Sequence, residues 1–137
     1  MTAAEIAAIS ARAYQHMSPW SEADIAGTLD HPLTVLSHDG ASFALGRVIV
    51  DEAEILALAT DPGKQRGGGA SRALAAFHAE AMARGAVTCF LEVAADNAPA
   101  IAFYETRGYA RTGLRKGYYP RAGSAPADAL LMARALP

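Results

Sequence analysis

The sequence predicts one mixed α/β domain spanning residues 1–137, with helices flanking a central sheet. Apolar residues recur at helical intervals near the N-terminus, and runs rich in Val, Ile and Leu follow between residues 33 and 61. A glycine-rich turn then separates the last of these runs from another amphipathic segment. Together these observations predict the element order α-α-β-β-β-α-β-α-β-β.

The first helices are predicted from their capping residues. Thr2 and Glu5 have the spacing of a capping box, and apolar residues follow at helical intervals as Ile6, Ile9, Ala13 and Met17. Pro19 breaks this helix, and Ser21 caps a short second helix that ends at Leu29. Three strands are expected next, over residues 34–37, 43–50 and 54–60, with a turn at Asp39-Gly40.

The second half of the chain alternates helices and strands. Gly67-Gly68-Gly69 opens a helix with an apolar stripe, and Gly85 ends it. Residues 87–93 form a nearly continuous apolar strand of the kind that is buried on both faces. Asn97 caps a further helix that ends before Gly108, and residues 109–118 and 129–134 are predicted to be the closing strands.

Composition and charge exclude several classes of protein. The net charge of -2 and the pI near 6.0 provide no electrostatic footprint for nucleic acid. Cys89 stands alone, which excludes an internal disulfide framework and a cysteine zinc cluster, and the four histidines lack metal-ligand spacing, so no metal site is expected. No apolar run reaches the roughly 18 residues of a membrane span, and no signal peptide is recognisable, so we expect a cytoplasmic protein without a membrane partner.

The glycine-rich turn is a candidate phosphate site. A helix N-terminus offers unpaired N–H groups and a partial positive charge, and glycines allow a close approach of the backbone. The P-loop and Rossmann patterns are both absent, whereas Gln65-x-x-Gly68-x-Ala70 is present. A flexible turn without a ligand is the alternative explanation.

A second candidate segment contains Glu92, Asn97 and Tyr104. Glu92 lies in an otherwise apolar strand, where an ionised carboxylate is costly unless it is paired or hydrated, so it is a candidate general base. Asn97 and Tyr104 share one face of the following helix. The alternatives are an ion pair of Glu92 with Arg115 or Lys116, a plain N-cap at Asn97 and a core aromatic at Tyr104.

These segments together resemble the GNAT acetyltransferase superfamily. The matching motifs are Gln65-x-x-Gly68-x-Ala70, Leu91-Glu92-Val93, Asn97, Ala100-Ile101-x-Phe103-Tyr104-Glu105 and Gly108-Tyr109. Within the superfamily the chain is most similar to the bacterial ribosomal-protein-alanine N-acetyltransferases, in Pro19-Trp20-Ser21-Glu22, in residues 115–120 and in residues 128–132. The resemblance implies the acyl-CoA N-acyltransferase fold, a central mixed β-sheet flanked by helices. Family members usually begin with a strand, whereas this chain begins almost inside a helix, so the first strand is expected to be absent.

The resemblance also implies roles for individual residues. Backbone amides of the turn would hold the pyrophosphate of acetyl-CoA, and the backbone of a strand end would pair with its pantetheine arm where two strands separate. The turn residues are Arg66, Gly67, Gly68, Gly69, Ala70 and Ser71, and the strand residues are Leu58, Ala59 and Thr60. Asn97 would contact the pantetheine arm, Glu92 would be the base, and Tyr104 would be the acid that protonates the leaving thiolate.

The entrance for the acceptor would be bordered by Tyr118, Tyr119, Pro120 and the loop near Trp20. Two departures from the family pattern affect the turn. Gly63-Lys64 replaces a polar residue followed by an aromatic one, and Gly69 stands where a bulkier apolar residue is common, so weaker coenzyme binding is expected.

Three functions remain open at this point. The first is acetylation of a protein N-terminus, with the N-terminal alanine of a small-subunit ribosomal protein as the expected target. The second is the same chemistry on a small amine, and the third is a non-catalytic module that binds acyl-CoA.

Overall fold

A computed structural model describes residues 1–13, 21–64, 67–119 and 125–136. In these ranges four α-helices and six strands follow one another in the predicted order. The helices are α1 (Ala3–Ala13), α2 (Glu22–Leu29), α3 (Gly69–Ala83) and α4 (Ala98–Glu105). The strands are β1 (Thr34–Asp39), β2 (Ser42–Ile49), β3 (Glu52–Thr60), β4 (Thr88–Ala94), β5 (Ala110–Tyr119) and β6 (Ala127–Ala135), and a single 3-10 turn covers Pro62–Lys64.

The predicted helix starts are confirmed by their hydrogen bonds. The Thr2 N–H donates to Glu5 Oε1 and the Glu5 N–H donates to Thr2 Oγ1, both at 3.1 Å, which completes the capping box of α1. Ser21 Oγ accepts from the Asp24 N–H at 3.1 Å and caps α2. Local side-chain chemistry therefore determines where these helices begin. Met17, Pro19 and Trp20 lie outside the described residues.

The sheet has the strand order β1-β2-β3-β4-β6-β5, and it is mixed because β3 and β4 pair in parallel while the other pairs are antiparallel. Helices cover both faces. Phe43 and Leu45 of β2 pack with α1 and α2, whereas Ala44 and Val48 of the same strand pack in a cluster with α3. The alternation of side chains along a strand thus divides the core into two layers.

The predicted fold class is confirmed, since a mixed sheet is flanked by helices. Strand ends agree with the prediction or differ from it by one or two residues, which is the usual uncertainty of an element boundary. In the same ranges no helix has the length and apolar character needed to cross a bilayer.

A bulge in β3 separates the two halves of that strand. Leu45 pairs with Ala57 and the next residue, Gly46, pairs with Ile55, so Leu56 is an extra residue in β3. The parallel pairing of β3 with β4 stops at the partners Ile55 and Leu91. Beyond them the two strands separate, which opens a gap in the middle of the sheet.

A polar chain crosses the core beneath α3. His78 Nε2 lies 2.7 Å from the Tyr109 hydroxyl, which donates to Cys89 Sγ at 3.2 Å. Burial is the main cause that lowers the pKa of His78 to about 4, and the charge of Arg134 makes a smaller contribution to the same shift. The buried imidazole is therefore neutral at pH 7.

His78 makes the stability of the protein depend on pH. Its pKa is about 4 in the folded state, against 6.5 for the unperturbed group, so the unfolded state binds more protons between these values. The free energy of unfolding should therefore decrease as the pH falls from 6.5 to 4, by up to about 3 kcal/mol from this residue. Urea denaturation at several pH values measures this decrease. In His78→Gln the decrease across that window should be smaller, and an identical pH dependence in both proteins would contradict the assignment.

Candidate active site

The start of α3 has backbone N–H groups available for a ligand. Gly68 is the N-cap with φ of +77°, a left-handed conformation that favours glycine. The first intrahelical bond runs from the Arg72 N–H to the Gly68 carbonyl at 3.1 Å. Gly68 has no side chain that could cap the earlier N–H groups, those of Gly69, Ala70 and Ser71. Arg66, another predicted member of this site, lies outside the described residues.

The unusual Gly69 has a structural explanation. A Cβ at this position would overlap Ser42 Oγ, and it would lie 3.2 Å from Ser42 Cβ and 3.4 Å from the Asp39 carbonyl oxygen. Ser42 is buried and forms a 2.7 Å hydrogen bond with the Thr60 hydroxyl. The Ser42 side chain thus fills the space where a larger residue 69 would stand, and it joins the start of α3 to β2 and β3.

The free edge of β3 faces the gap in the sheet. The Asp61 N–H donates to the Ala41 carbonyl on the β2 side at 2.9 Å. Because alternate residues of a strand point their backbone groups to the same side, the N–H groups of Leu58 and Thr60 face away from β2 and into the gap. This edge can form strand-like hydrogen bonds with an extended ligand.

Glu92 is the residue that follows the last parallel pair. Its side chain is 17% exposed, and its Oε1 lies 3.3 Å from Nη2 of Arg115, so the ion pair that was one of the alternatives is present. Leu91 and Val93, on either side, pack in the cluster beneath α3 and α4. Side chains alternate along a strand, so Glu92 points to the opposite face of the sheet.

Tyr104 lies on the α3 and α4 face. It is 8% exposed, belongs to the same cluster as Leu91 and Val93, and packs edge-to-face against Tyr109 with ring centroids 5.5 Å apart. Asn97 caps α4 by accepting from the Ala100 N–H at 3.4 Å. The structural alternatives for both residues are therefore present, and neither one excludes contact with a ligand. Glu92 and Tyr104 are thus presented on opposite faces of the sheet.

The predicted acceptor entrance is described in part. Tyr118 is half exposed, and the Arg115 guanidinium lies 5.3 Å from the centroid of its ring, so Tyr118 is linked to Glu92 through Arg115. Trp20, Pro120 and the side chain of Tyr119 lie outside the described residues. Cys89 is fully buried, and burial raises the pKa of its thiol to about 11, so it packs as a small hydrophobic residue.

Sequence inspection missed one residue beside the turn. Nε of Arg107 donates to Ser71 Oγ at 3.3 Å, which brings a guanidinium to the first turn of α3. These residues are 36 positions apart and share no motif, so only the folded structure reveals the contact.

Comparisons with known proteins agree with this geometry. The model of the acetyltransferase (GNAT) family matches residues 6–109. A [ribosomal protein bS18]-alanine N-acetyltransferase of Salmonella typhimurium is 39% identical over 122 residues, which cover 86% of this chain and 82% of that protein.

Two solved structures are also similar. The ribosomal-protein-S18-alanine N-acetyltransferase of Escherichia coli superposes with a TM-score of 0.85 at 34% identity, covering 98% of this chain and 87% of the other. A nourseothricin acetyltransferase superposes with a TM-score of 0.65 at 26% identity, covering 71% and 58%. The alternative of a non-catalytic module is thus set aside, because the relatives are enzymes. The chain belongs to the GNAT acetyltransferase family, and it is an N-acetyltransferase.

Proposed function

We propose that residues 1–137 form one enzyme domain that transfers the acetyl group of acetyl-CoA to a protein N-terminal α-amine in the cytoplasm. The proposed acceptor is the N-terminal alanine of ribosomal protein bS18, the substrate named for its relatives. The observation that carries this proposal is the gap between β3 and β4, with Glu92 and Tyr104 presented on opposite faces of the sheet.

The described residues fit the coenzyme. The uncapped N–H groups at the start of α3 and the left-handed Gly68 suit a pyrophosphate. The free edge of β3 at Leu58 and Thr60 suits the amide groups of a pantetheine arm, with Ala59 between them and Asn97 across the gap. The coenzyme would supply a thioester carbonyl as the electrophile, with its thiol as the leaving group.

The two faces of the sheet would separate the two substrates. The coenzyme would occupy the side of α3 and α4, and the acceptor amine would approach from the side of Glu92, Arg115 and Tyr118. The gap lets the amine reach the carbonyl carbon, and alignment of the two supplies much of the rate. An N–H of the β3 edge is positioned to donate to the developing oxyanion.

Proton transfers complete the reaction. Glu92 would remove a proton from the incoming α-ammonium, either directly or through water, and Tyr104 would donate one to the leaving thiolate. A free α-amine has a pKa near 8, so its deprotonation at pH 7 costs only about 1 kcal/mol. The amine nitrogen forms the new bond to the carbonyl carbon as the bond from carbon to sulfur breaks.

The function is tested with a peptide that begins with alanine. Incubation with acetyl-CoA should add one acetyl group to the α-amine, as located by fragmentation mass spectrometry. The matched control is the same peptide with a blocked N-terminus and a free lysine, which should gain none. Absence of transfer to the first peptide, with CoA binding intact, would contradict the proposed acceptor.

A small amine is the second candidate acceptor, and the similarity to nourseothricin acetyltransferase favours testing it. A panel of amino acids and aminoglycoside-type amines should give lower kcat/KM values than the alanine peptide. A small amine with a higher kcat/KM would reverse this order.

Enlarging Gly69 should weaken coenzyme binding. The new Cβ in Gly69→Ala would displace Ser42 from its hydrogen bond with Thr60 and shift the first turn of α3. We expect a Kd for CoA about 10-fold higher by calorimetry, equivalent to about 1.4 kcal/mol. The control is Gly27→Ala in α2, where a Cβ would meet no atom within 4 Å, so its Kd should stay unchanged. Adding Ser42→Gly to Gly69→Ala should restore CoA binding. If it does not, the overlap with Ser42 is not the cause of the weaker binding.

Removing the Tyr104 hydroxyl should slow turnover more than binding. Tyr104→Phe keeps the ring that packs against Tyr109, and it loses the proton donor. We expect kcat to fall about 10²-fold with little change in the Kd for CoA. An unchanged kcat in steady-state assays would exclude Tyr104 as the acid.

A further inference from the structure

Arg107 is held in place beside the first turn of α3. Its Nε donates to Ser71 Oγ at 3.3 Å, and its Nη1 donates to the Phe103 carbonyl at 3.0 Å and to the Thr106 hydroxyl at 2.9 Å. The guanidinium carbon lies 3.7 Å from the centroid of the Phe103 ring. These contacts fix a planar cation at the end of the turn assigned to the coenzyme phosphates.

Among the residues that the structure describes, no carboxylate pairs with the charge of Arg107. Within residues 1–13, 21–64, 67–119 and 125–136, six of the eight arginines form ion pairs and two do not. Arg107 is one of those two, and its three hydrogen-bond acceptors are all uncharged. Its Nη2 makes no hydrogen bond with the residues that the structure describes. The N–H groups of Nη2 are therefore available to an anion.

The position of this cation is unfavourable without a ligand. The N-terminus of a helix carries a partial positive charge, which stabilises anions and repels cations. Arg72, also in the first turns of α3, has its charge balanced by Asp39. Arg107 adds a second positive charge at the same end of the helix, and a bound phosphate would convert this repulsion into attraction.

We propose that Arg107 binds a phosphate group of the coenzyme, with Nη2 donating a charge-assisted hydrogen bond to a phosphate oxygen. The inference rests on the proposed use of acetyl-CoA, and it adds a side-chain cation to a site otherwise formed by backbone N–H groups. Two phosphates offer this chemistry, the diphosphate and the 3′-phosphate of the ribose.

Calorimetric titrations of the whole protein with CoA and with 3′-dephospho-CoA test the proposal. R107Q should raise the Kd for CoA about 10-fold, as expected for the loss of a charged hydrogen bond. R107K should lie between R107Q and the wild type, because it keeps the charge without the planar fork. R111Q is the matched control, because it removes the same charge from β5 at a residue that is paired with Glu105 at 3.4 Å in the wild type. Its Kd should equal that of the wild type.

The two coenzymes distinguish the phosphates. If the 3′-phosphate is the partner, R107Q should bind CoA and 3′-dephospho-CoA with equal Kd values. If the diphosphate is the partner, R107Q should raise the Kd of both compounds by the same factor over the wild type. The Tm of ligand-free R107Q should stay close to the wild-type value, whereas a purely structural role predicts a lower Tm with an unchanged Kd. An unchanged Kd for CoA in R107Q would overturn the inference. A wild-type protein that does not bind CoA would instead overturn the proposed function.

Discussion

Replacing Gly46 by alanine should destabilise the protein by about 4 kcal/mol, which is a large part of the stability of an ordinary domain. A Cβ at residue 46 would overlap the Glu54 carbonyl oxygen of the neighbouring strand, and it would lie 2.6 Å from Cζ of Phe77 in α3. The carbonyl is backbone at the β3 bulge, so it cannot rotate away as a side chain could. The variant must therefore separate β2 from β3 or lift α3 from the sheet.

Urea denaturation provides the measurement, with Gly27→Ala as the control. Gly27 lies inside α2, and a Cβ there would meet no atom within 4 Å, so this change should raise stability by about 0.5–1 kcal/mol. A midpoint for Gly46→Ala equal to that of the wild type would show that the strands adapt at no cost.

Replacing Glu92 by glutamine should lower kcat about 10²-fold at pH 7, the usual contribution of a general base. Glutamine has nearly the same shape and cannot accept the proton of the ammonium. A factor of about 10 of this deficit should disappear as the pH rises above about 8, because the α-amine is then neutral without help. The remainder reflects proton transfer in the transition state. Steady-state rates across this pH range, with the alanine peptide as acceptor, give the comparison.

Glu54→Gln is the matched control for this experiment. Glu54 is a half-buried carboxylate on the adjacent strand, and its Oε1 lies 2.7 Å from Nη2 of Arg47 in an ion pair like that of Glu92. Its loss should leave kcat close to the wild-type value. A deficit in Glu92→Gln that stays constant with pH would assign Glu92 to positioning the substrate rather than to proton transfer.

The predicted base and acid, Glu92 and Tyr104, lie apart in the structure on opposite faces of the sheet. Ion pairing of Glu92 and core packing of Tyr104 satisfy both side chains in the folded chain. In the proposed reaction each would act from its own face, with the substrates meeting between β3 and β4. Arg115 and Tyr118 extend the Glu92 face toward the side from which the acceptor would arrive.

Local chemistry made much of the fold predictable. The capping box of Thr2 and Glu5, the N-caps at Ser21 and Asn97, and the turn at Asp39-Gly40 act over four residues or fewer. Such interactions are encoded in adjacent residues, as is the two-residue alternation of a strand. The family motifs indicated a candidate turn for the coenzyme and a candidate base and acid.

Contacts between distant segments were not predictable from these patterns. The sequence suggested a weakened turn at Gly69, whereas Ser42 fills the space beside it from another strand. No motif connects His78 to Tyr109 and Cys89, or Arg107 to Ser71. Each pair meets because two elements pack together, and residue spacing carries no information about that packing.

The sequence by itself determined the order of helices and strands, because capping and alternation depend only on near neighbours. Its motifs resembled those of the acetyltransferase family and indicated a candidate turn for a phosphate. Tertiary structure alone decided which face of the sheet each reactive side chain occupies and which cation lies beside the turn. The bulge at Leu56 and the close packing of Phe77 in α3 against Gly46 determine how β2, β3 and α3 lie against one another. Both depend on backbone contacts between strands and helices that are far apart along the chain.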